Sequence, residues 1–232
     1  RNGQTDPVLP ARPPRPNASL PVLPVPLVGR DNELARLADL LADPACRLIT
    51  LTGPGGIGKT SLALAAAAQQ ADTFCDGSVF IDLSGVTNAR FLPDAILTAL
   101  GAPATGQQSP RRQLRACLRD LEVLIVLDNY ESLLPNVELL TELLRYAPGV
   151  TWLVTSRERL AMQGENLLVL AGLSHPPANP PSRLPEPAPP PTEYAAVQLF
   201  LQRVQQTQHH FAATAQDMAA IVQISRVTEG MP

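Results

Sequence analysis

Between a run of strand formers and a run of helix formers lies Gly53-Pro54-Gly55-Gly56-Ile57-Gly58-Lys59-Thr60, which fits the pattern G-x-x-x-x-G-K-[ST]. Average residue usage produces that pattern by accident in roughly 1% of chains of this length, and the flanking context makes an accident rarer still. Upstream, Arg47-Leu48-Ile49-Thr50-Leu51-Thr52 reads as a short buried strand. Downstream, Ser61-Leu62-Ala63-Leu64-Ala65-Ala66-Ala67-Ala68 is a strong helix former. A strand, a glycine-rich turn and a helix in that order restrict the chain to an α/β architecture with a loop at the helix N-terminus.

Glycines in such a loop allow a sharp turn that brings backbone N–H groups against phosphate oxygens, and the helix N-terminus adds partial positive charge. The binding set read from the motif is Gly53, Gly55, Gly56, Ile57, Gly58, Lys59, Thr60 and Ser61. Lys59 is expected to reach the β and γ phosphates of a nucleotide, and the Thr60 hydroxyl to ligate Mg²⁺.

A length of 232 residues, 45% of them hydrophobic, suits one α/β domain with a sizeable core plus part of another. Net charge is −3, and the 18 Lys and Arg residues read as scattered, which argues against a nucleic-acid face on this chain. Cys46, Cys75 and Cys117 are odd in number and lack C-x-x-C spacing, so they read as reduced, mostly buried thiols rather than a disulfide framework or zinc site. No apolar stretch reaches 18 residues and no secretory signal opens the chain, so a cytoplasmic protein that does not enter a membrane is the simplest reading. Residues 1–26 read as a proline-rich interdomain linker, and nine prolines in His175–Pro191 mark a second linker, assigned to 174–191. The nucleotide-binding domain is therefore expected over 27–173, and the start of a helical subdomain, cut short, over 192–232.

Further elements alternate between helix and strand. Asp31 is a plausible N-cap for a helix carrying Leu34, Leu37, Leu40 and Leu41. Ser78–Leu83 reads as a strand, Pro93–Leu100 as a helix closed by Gly101, and Arg111–Leu121 as another helix. Val123-Leu124-Ile125-Val126-Leu127-Asp128 has the continuous apolar character of a parallel strand buried on both faces, ending in a carboxylate. Ligands in open α/β sheets bind beyond the carboxyl ends of strands, so Asp128 is expected beside the phosphate loop as a Mg²⁺ ligand, direct or through water. Asn129 follows where an efficient ATPase usually places a second acid; an amide accepts no proton, so either hydrolysis is slow or Glu131 takes the role of base. Val150–Arg157 reads as a strand with a polar end, from which Arg157 would sense a γ-phosphate through charge-assisted hydrogen bonds. The catalytic candidates are thus Lys59, Asp128, Glu131 and Arg157, with Thr60 and Asp128 holding the metal.

Together these residues resemble the NB-ARC-like members of the STAND class of P-loop NTPases, the signal-transduction ATPases with numerous domains. The resemblance runs from Leu27 to Pro232 through Leu27-Val28-Gly29-Arg30, the phosphate loop, Leu124–Glu131, Leu153–Glu158, Glu193–Phe200 and Gly230-Met231-Pro232. It implies a three-layer P-loop sandwich with a parallel sheet of order 5-1-4-3-2, followed by the start of a small helical subdomain. It also implies that Val28 and Arg30 line the adenine and ribose side and that Pro232 approaches the base. The subset resembled is the nucleotide switch of large bacterial transcriptional regulators, which implies a DNA-binding domain and tetratricopeptide repeats elsewhere in a longer chain, and nucleotide-dependent self-association. The function implied is an ATP/ADP switch with Mg²⁺ and weak hydrolysis. A phosphotransferase or fast ATPase fits less well, since the only lid-like stretch, Ala102–Arg112, offers just Arg111 and Arg112. No Asn-Lys-x-Asp guanine-reading motif is present, which favours adenine.

Overall fold

The computed structural model describes residues 20–23, 25–70, 72–102, 108–178, 189–208 and 211–232. Most of both proline-rich linker assignments and the middle of the Ala102–Arg112 stretch lie outside the described residues.

Five runs of β-branched and leucine residues form strands at Leu48–Thr52 (β1), Ser78–Asp82 (β2), Val123–Asp128 (β3), Val150–Ser156 (β4) and Glu165–Val169 (β5). All neighbours pair in parallel, in the order β2-β3-β4-β1-β5, which is the expected 5-1-4-3-2 read from the other edge. The central strands β1 and β3 are buried along their whole length because both sheet faces are covered. Pleating divides β3 between the two faces. Val123, Ile125 and Leu127 pack with leucines of Leu92–Ala99 (α3), Pro110–Leu118 (α4) and Glu138–Tyr146 (α5). Leu124 and Val126 pack against Asp31–Ala42 (α1) and Lys59–Gln69 (α2). Each fully buried Leu, Ile or Val in these layers contributes roughly 1.5–3 kcal/mol over its exposed state, so the two apolar layers fix the sheet to which the loops are attached.

Local signals explain most boundaries. Proline opens α3 and α4, where its missing N–H is harmless, and Gly101 at φ +71° turns the chain out of α3. The start of α1 differs from expectation: Arg30 is the N-cap and makes no side-chain cap bond, while Asp31 is the first helical residue. Asp31 thus acts through its charge at the positive helix end rather than as a cap. Cys46 is buried and Cys117 half-buried as expected, whereas Cys75 is exposed.

Two further helices follow, Ala195–Thr207 (α6) and Ala215–Val227 (α7), the latter opened by a Thr214–Asp217 capping box. They dock on the segment leaving β5: Leu173 N–H donates to Gly230 O at 2.8 Å and Ala195 N–H to Ser174 Oγ at 3.0 Å. Gly29 is required at this contact, since it sits at φ +63° and a Cβ there would fall 2.2 Å from that of Ala195. Among the described residues no helix is long and apolar enough to cross a membrane.

Candidate functional site

Strands β2, β3, β4 and β1 end within about one residue of one another. Thr52 of β1 pairs in register with Ser156 of β4, and Asp82 of β2 with Asp128 of β3. Their carboxyl ends therefore form one rim, and the loop 53–58 leaves it from β1, beside β4. Gly58, at φ +95°, is the N-cap of α2 and occupies left-handed backbone that an L side chain strains to adopt. Gly53 is fixed by contact as well, since a Cβ there would lie 2.9 Å from Leu170 O.

The first N–H groups of α2 have no intrahelical partner and face this rim. Lys59 is buried, with Nζ donating to Gly53 O at 2.8 Å and Pro54 O at 2.9 Å, so the ammonium is held inside the loop by its own carbonyls. Burial pulls its pKa below the usual lysine range and Arg157 acts in the same direction; Glu131 and Asp128 oppose them.

Thr60, the second residue of α2, donates its hydroxyl to Asp128 Oδ1 at 2.8 Å and lies 3.0 Å from Oδ2. The two residues read as metal ligands from distant parts of the sequence are in direct contact. Asp128 is itself buried and also accepts from Thr155 Oγ at 2.5 Å and Asn129 Nδ2 at 3.1 Å. Burial raises the pKa of its carboxyl, a shift that the Thr155 and Thr60 hydroxyls partly offset and that Asp82 and Glu131 reinforce. A buried anion held by neutral donors beside two other carboxylates favours a cation at this point. All the groups involved are hard oxygen donors, which suits Mg²⁺ rather than a softer metal. A phosphate with Mg²⁺ therefore fits the residues present: the glycine loop and helix N-terminus for the anion, Thr60 and Asp128 for the metal.

Asn129 sits at φ +61°, a left-handed position that asparagine tolerates better than most residues. Its Nδ2 donates to Asp82 Oδ1 at 3.1 Å as well as to Asp128, so the residue after Asp128 presents a donor tied to two carboxylates rather than a base. Glu131, in the short 3₁₀ turn Tyr130–Leu133, lies 3.2 Å from Arg157 Nε. Arg157 overlies the loop: a Cβ on Gly55 would meet its guanidinium at 3.7 Å. Lys59, Thr60, Asp128, Glu131 and Arg157 are thus gathered around one loop.

The remaining site residues are placed differently. Arg30 is 4% exposed, and its guanidinium donates to Ile57 O at 3.1 Å, Ala171 O at 2.8 Å and Glu33 Oε1 at 2.7 Å. It braces the phosphate loop against the segment after β5. Val28 packs with Leu173, Ala195 and Ala196, while Ser61 is half-buried in the first turn of α2 and Pro232 is exposed. Two contributors were missed in the sequence reading. Thr155 donates to Asp128 and accepts Asn129 N–H at 3.1 Å, and Asp82 anchors Asn129. Their signal was available, since each polar residue ends an apolar strand run, but only the strand order shows that those ends adjoin.

Residues 26–217 match the family model described as the AAA ATPase domain. The chain belongs to this family. Relatives of this AAA ATPase domain include the uncharacterized protein Rv0894 of Mycobacterium tuberculosis, 34% identical over 88% of this chain and 48% of the relative. A protein named as an HTH-type transcriptional regulator, from the same organism, is 33% identical over 80% of this chain and 19% of its own length. The regulatory protein AfsR of Streptomyces griseus is 30% identical over 68% of this chain and 17% of its own. The AAA ATPase domain thus spans about half the length of the first relatives and under a fifth of the regulators. In fold it is similar to a signal transduction ATPase with numerous domains bearing a tetratricopeptide repeat sensor, from Pyrococcus horikoshii, at TM-score 0.51 and 16% identity, covering 98% of this chain and 30% of that one. It is also similar in fold to Cdc6p from Pyrobaculum aerophilum, at TM-score 0.54 and 15% identity, covering 81% and 52% of the two chains. The resemblance read from the sequence is borne out in family and fold: the chain carries an AAA ATPase domain, its fold is similar to that of the STAND protein, and relatives named as regulators match the same domain.

Proposed function

We propose that this ATPase domain is an ATP/ADP switch, with Mg²⁺ and slow hydrolysis, inside a larger transcriptional regulator. The observation that carries the proposal is the state of the residue after Asp128. Asn129 ties Asp82 to Asp128 beside the phosphate loop yet accepts no proton from water. Binding is provided for more fully than turnover.

In this reading the glycine loop and Lys59 would hold the phosphates, while Thr60 and Asp128 would hold Mg²⁺, which would supply charge neutralisation to the phosphates. Arg157, 67% exposed and paired with Glu131, exchanges that partner for a γ-phosphate, so the pair reports which nucleotide is bound. Moving a two-state equilibrium from 1:99 to 99:1 takes about 5.5 kcal/mol of differential affinity. Several charge-assisted hydrogen bonds from Lys59 and Arg157, each worth roughly 1.5–3 kcal/mol, reach that figure. Arg30 relays the state of the loop, since it ties Ile57 O to Ala171 O, two residues before the bond between Leu173 and Gly230 at the end of α7.

A phosphotransferase reading needs several free arginines on a lid, but the lid-like stretch carries only Arg111 and Arg112, and Arg111 is held by Glu142. Phosphate release under saturating ATP and Mg²⁺ tests the proposal. Turnover below about one per minute is expected, far under the roughly 1–1000 per second of ordinary enzymes. Turnover of many per second, or phosphate transfer to a small-molecule acceptor, would overturn it.

A further inference from the structure

Arginines that read as scattered along the chain gather on the face opposite α2. Between α4 and α5 lies an open cleft of about 870 Å³ lined by Arg111, Arg112, Arg115 and Arg119 on one side and Glu142 and Tyr146 on the other. Apart from Lys59, every Lys or Arg in the chain is arginine, the side chain whose planar fork matches a carboxylate bidentately. The cleft already displays that recognition. Glu142, half-buried in the cleft lining, is gripped by Arg111 and, at 3.1 Å, by Arg115 Nη1, while Arg115 also lies 3.6 Å from the centroid of the Tyr146 ring. Arg112 and Arg119 are exposed and make no ion pair among the described residues.

We infer that this cleft docks an acidic segment of a protein, with carboxylates taken by Arg112 and Arg119 beside the internal Glu142 pair. Seven residues of helical rise place the two arginines about 10 Å apart along α4. A segment in polyproline II conformation, with three residues per turn and a rise of about 3.1 Å, puts side chains three residues apart on one side across about that distance, so the partner carries carboxylates at roughly that spacing. Tyr146, 49% exposed, offers the segment an aromatic face between them. Two observations favour a protein over a nucleic acid. The chain is negative as a whole, which opposes a long polyanion, whereas a short segment feels mainly the local charge within about 8 Å. The fixed carboxylate of Glu142 also sits inside the cleft, where a continuous phosphate backbone would meet it and a peptide with spaced acids would not.

The test is fluorescence anisotropy at low salt with a labelled ten-residue peptide carrying glutamates three residues apart, beside a 20-base-pair DNA duplex as comparison. Peptide binding is expected to weaken roughly tenfold in R112E/R119E and to weaken in the same direction in R112A/R119A, both pairs being exposed positions that leave the core intact. Glu142→Gln, which frees the forks of Arg111 and Arg115, is expected to tighten the peptide two- to fivefold, a gain that loss of structure would not produce. Absence of peptide binding, DNA binding tighter than the peptide's, or a peptide affinity indifferent to R112E/R119E would each overturn the inference.

Discussion

Replacing Arg30 with alanine separates a structural brace from a nucleotide ligand. The guanidinium is buried and satisfies two backbone carbonyls, Ile57 O and Ala171 O, that no other described group reaches, together with Glu33. The bond to Ile57 O is buried, and a buried carbonyl left without a donor costs about 1–3 kcal/mol, whereas Ala171 is exposed and water replaces much of the bond to its carbonyl. Glu33 is 26% exposed and water recovers most of its loss, leaving under about 1 kcal/mol for that pair. A net destabilisation of about 2–4 kcal/mol is expected, which for a domain of this size lowers the Tm by roughly 5–15 °C. Arg30→Lys keeps the charge near Glu33 but has no fork to span both carbonyls, and should lose about half as much. Urea melts followed by circular dichroism measure both variants, and titration with ADP measures their affinity. If Arg30→Ala melts within about 1 kcal/mol of the parent while ADP affinity collapses, Arg30 is a nucleotide contact, as the resemblance alone implied, and the brace is refuted.

Tyr130 is fully buried, and burial, reinforced by the charge of Glu138, pushes its pKa up to about 12. The unfolded chain releases that proton near pH 10, so the stability present below pH 10 falls by about 1.4 kcal/mol per unit, reaching about 2–3 kcal/mol by pH 12. Tyr130→Phe should be near neutral at pH 7, because the hydroxyl's contact with Asn136 O is a long 3.5 Å, and should lose this part of the alkaline slope; equal slopes in urea melts at pH 9 and 11.5 would refute the assignment. Asn129→Asp restores a proton acceptor after Asp128 and should raise phosphate release at least tenfold, at the low end of general-base effects. The same change crowds a third carboxylate against Asp82 and Asp128 and should lower stability without Mg²⁺ by about 1 kcal/mol; unchanged turnover would show that the amide is not what limits hydrolysis.

The phosphate loop, β3 and its terminal carboxylate were legible because each rests on a local rule: glycines where φ is positive, an unbroken apolar run where both faces are covered, and a carboxylate at a strand end; the order of the sheet came from the family resemblance instead. What the sequence hid depends on juxtaposition. Thr155 and Asp82 acquire their roles only because β4 and β2 flank β3, which no spacing along the chain reveals. Arg30 reads as a ligand because its tripeptide resembles one, and the bracing bonds to residues 27 and 141 positions away could not be read from that tripeptide. The arginines of α4 read as part of a dilute scatter until α5 was folded against them with Glu142 and Tyr146 to make a cleft. The 3₁₀ turn after β3 was likewise not predicted, because a left-handed Asn129 sets it rather than any helical periodicity.

The most direct measurement is calorimetric titration of this chain with ADP and with ATP, each with Mg²⁺, beside Lys59→Ala. Lys59 is the only ammonium in the loop and is held there by Gly53 O and Pro54 O, so its removal deletes the cation while sparing the core. Micromolar or tighter binding of both nucleotides by the parent, an affinity difference between them that tracks the γ-phosphate, and loss of at least about 1.5–3 kcal/mol in Lys59→Ala are the expected results. Equal binding by parent and Lys59→Ala, or no nucleotide binding by the parent, would contradict the assignment of this loop as the phosphate site of a switch.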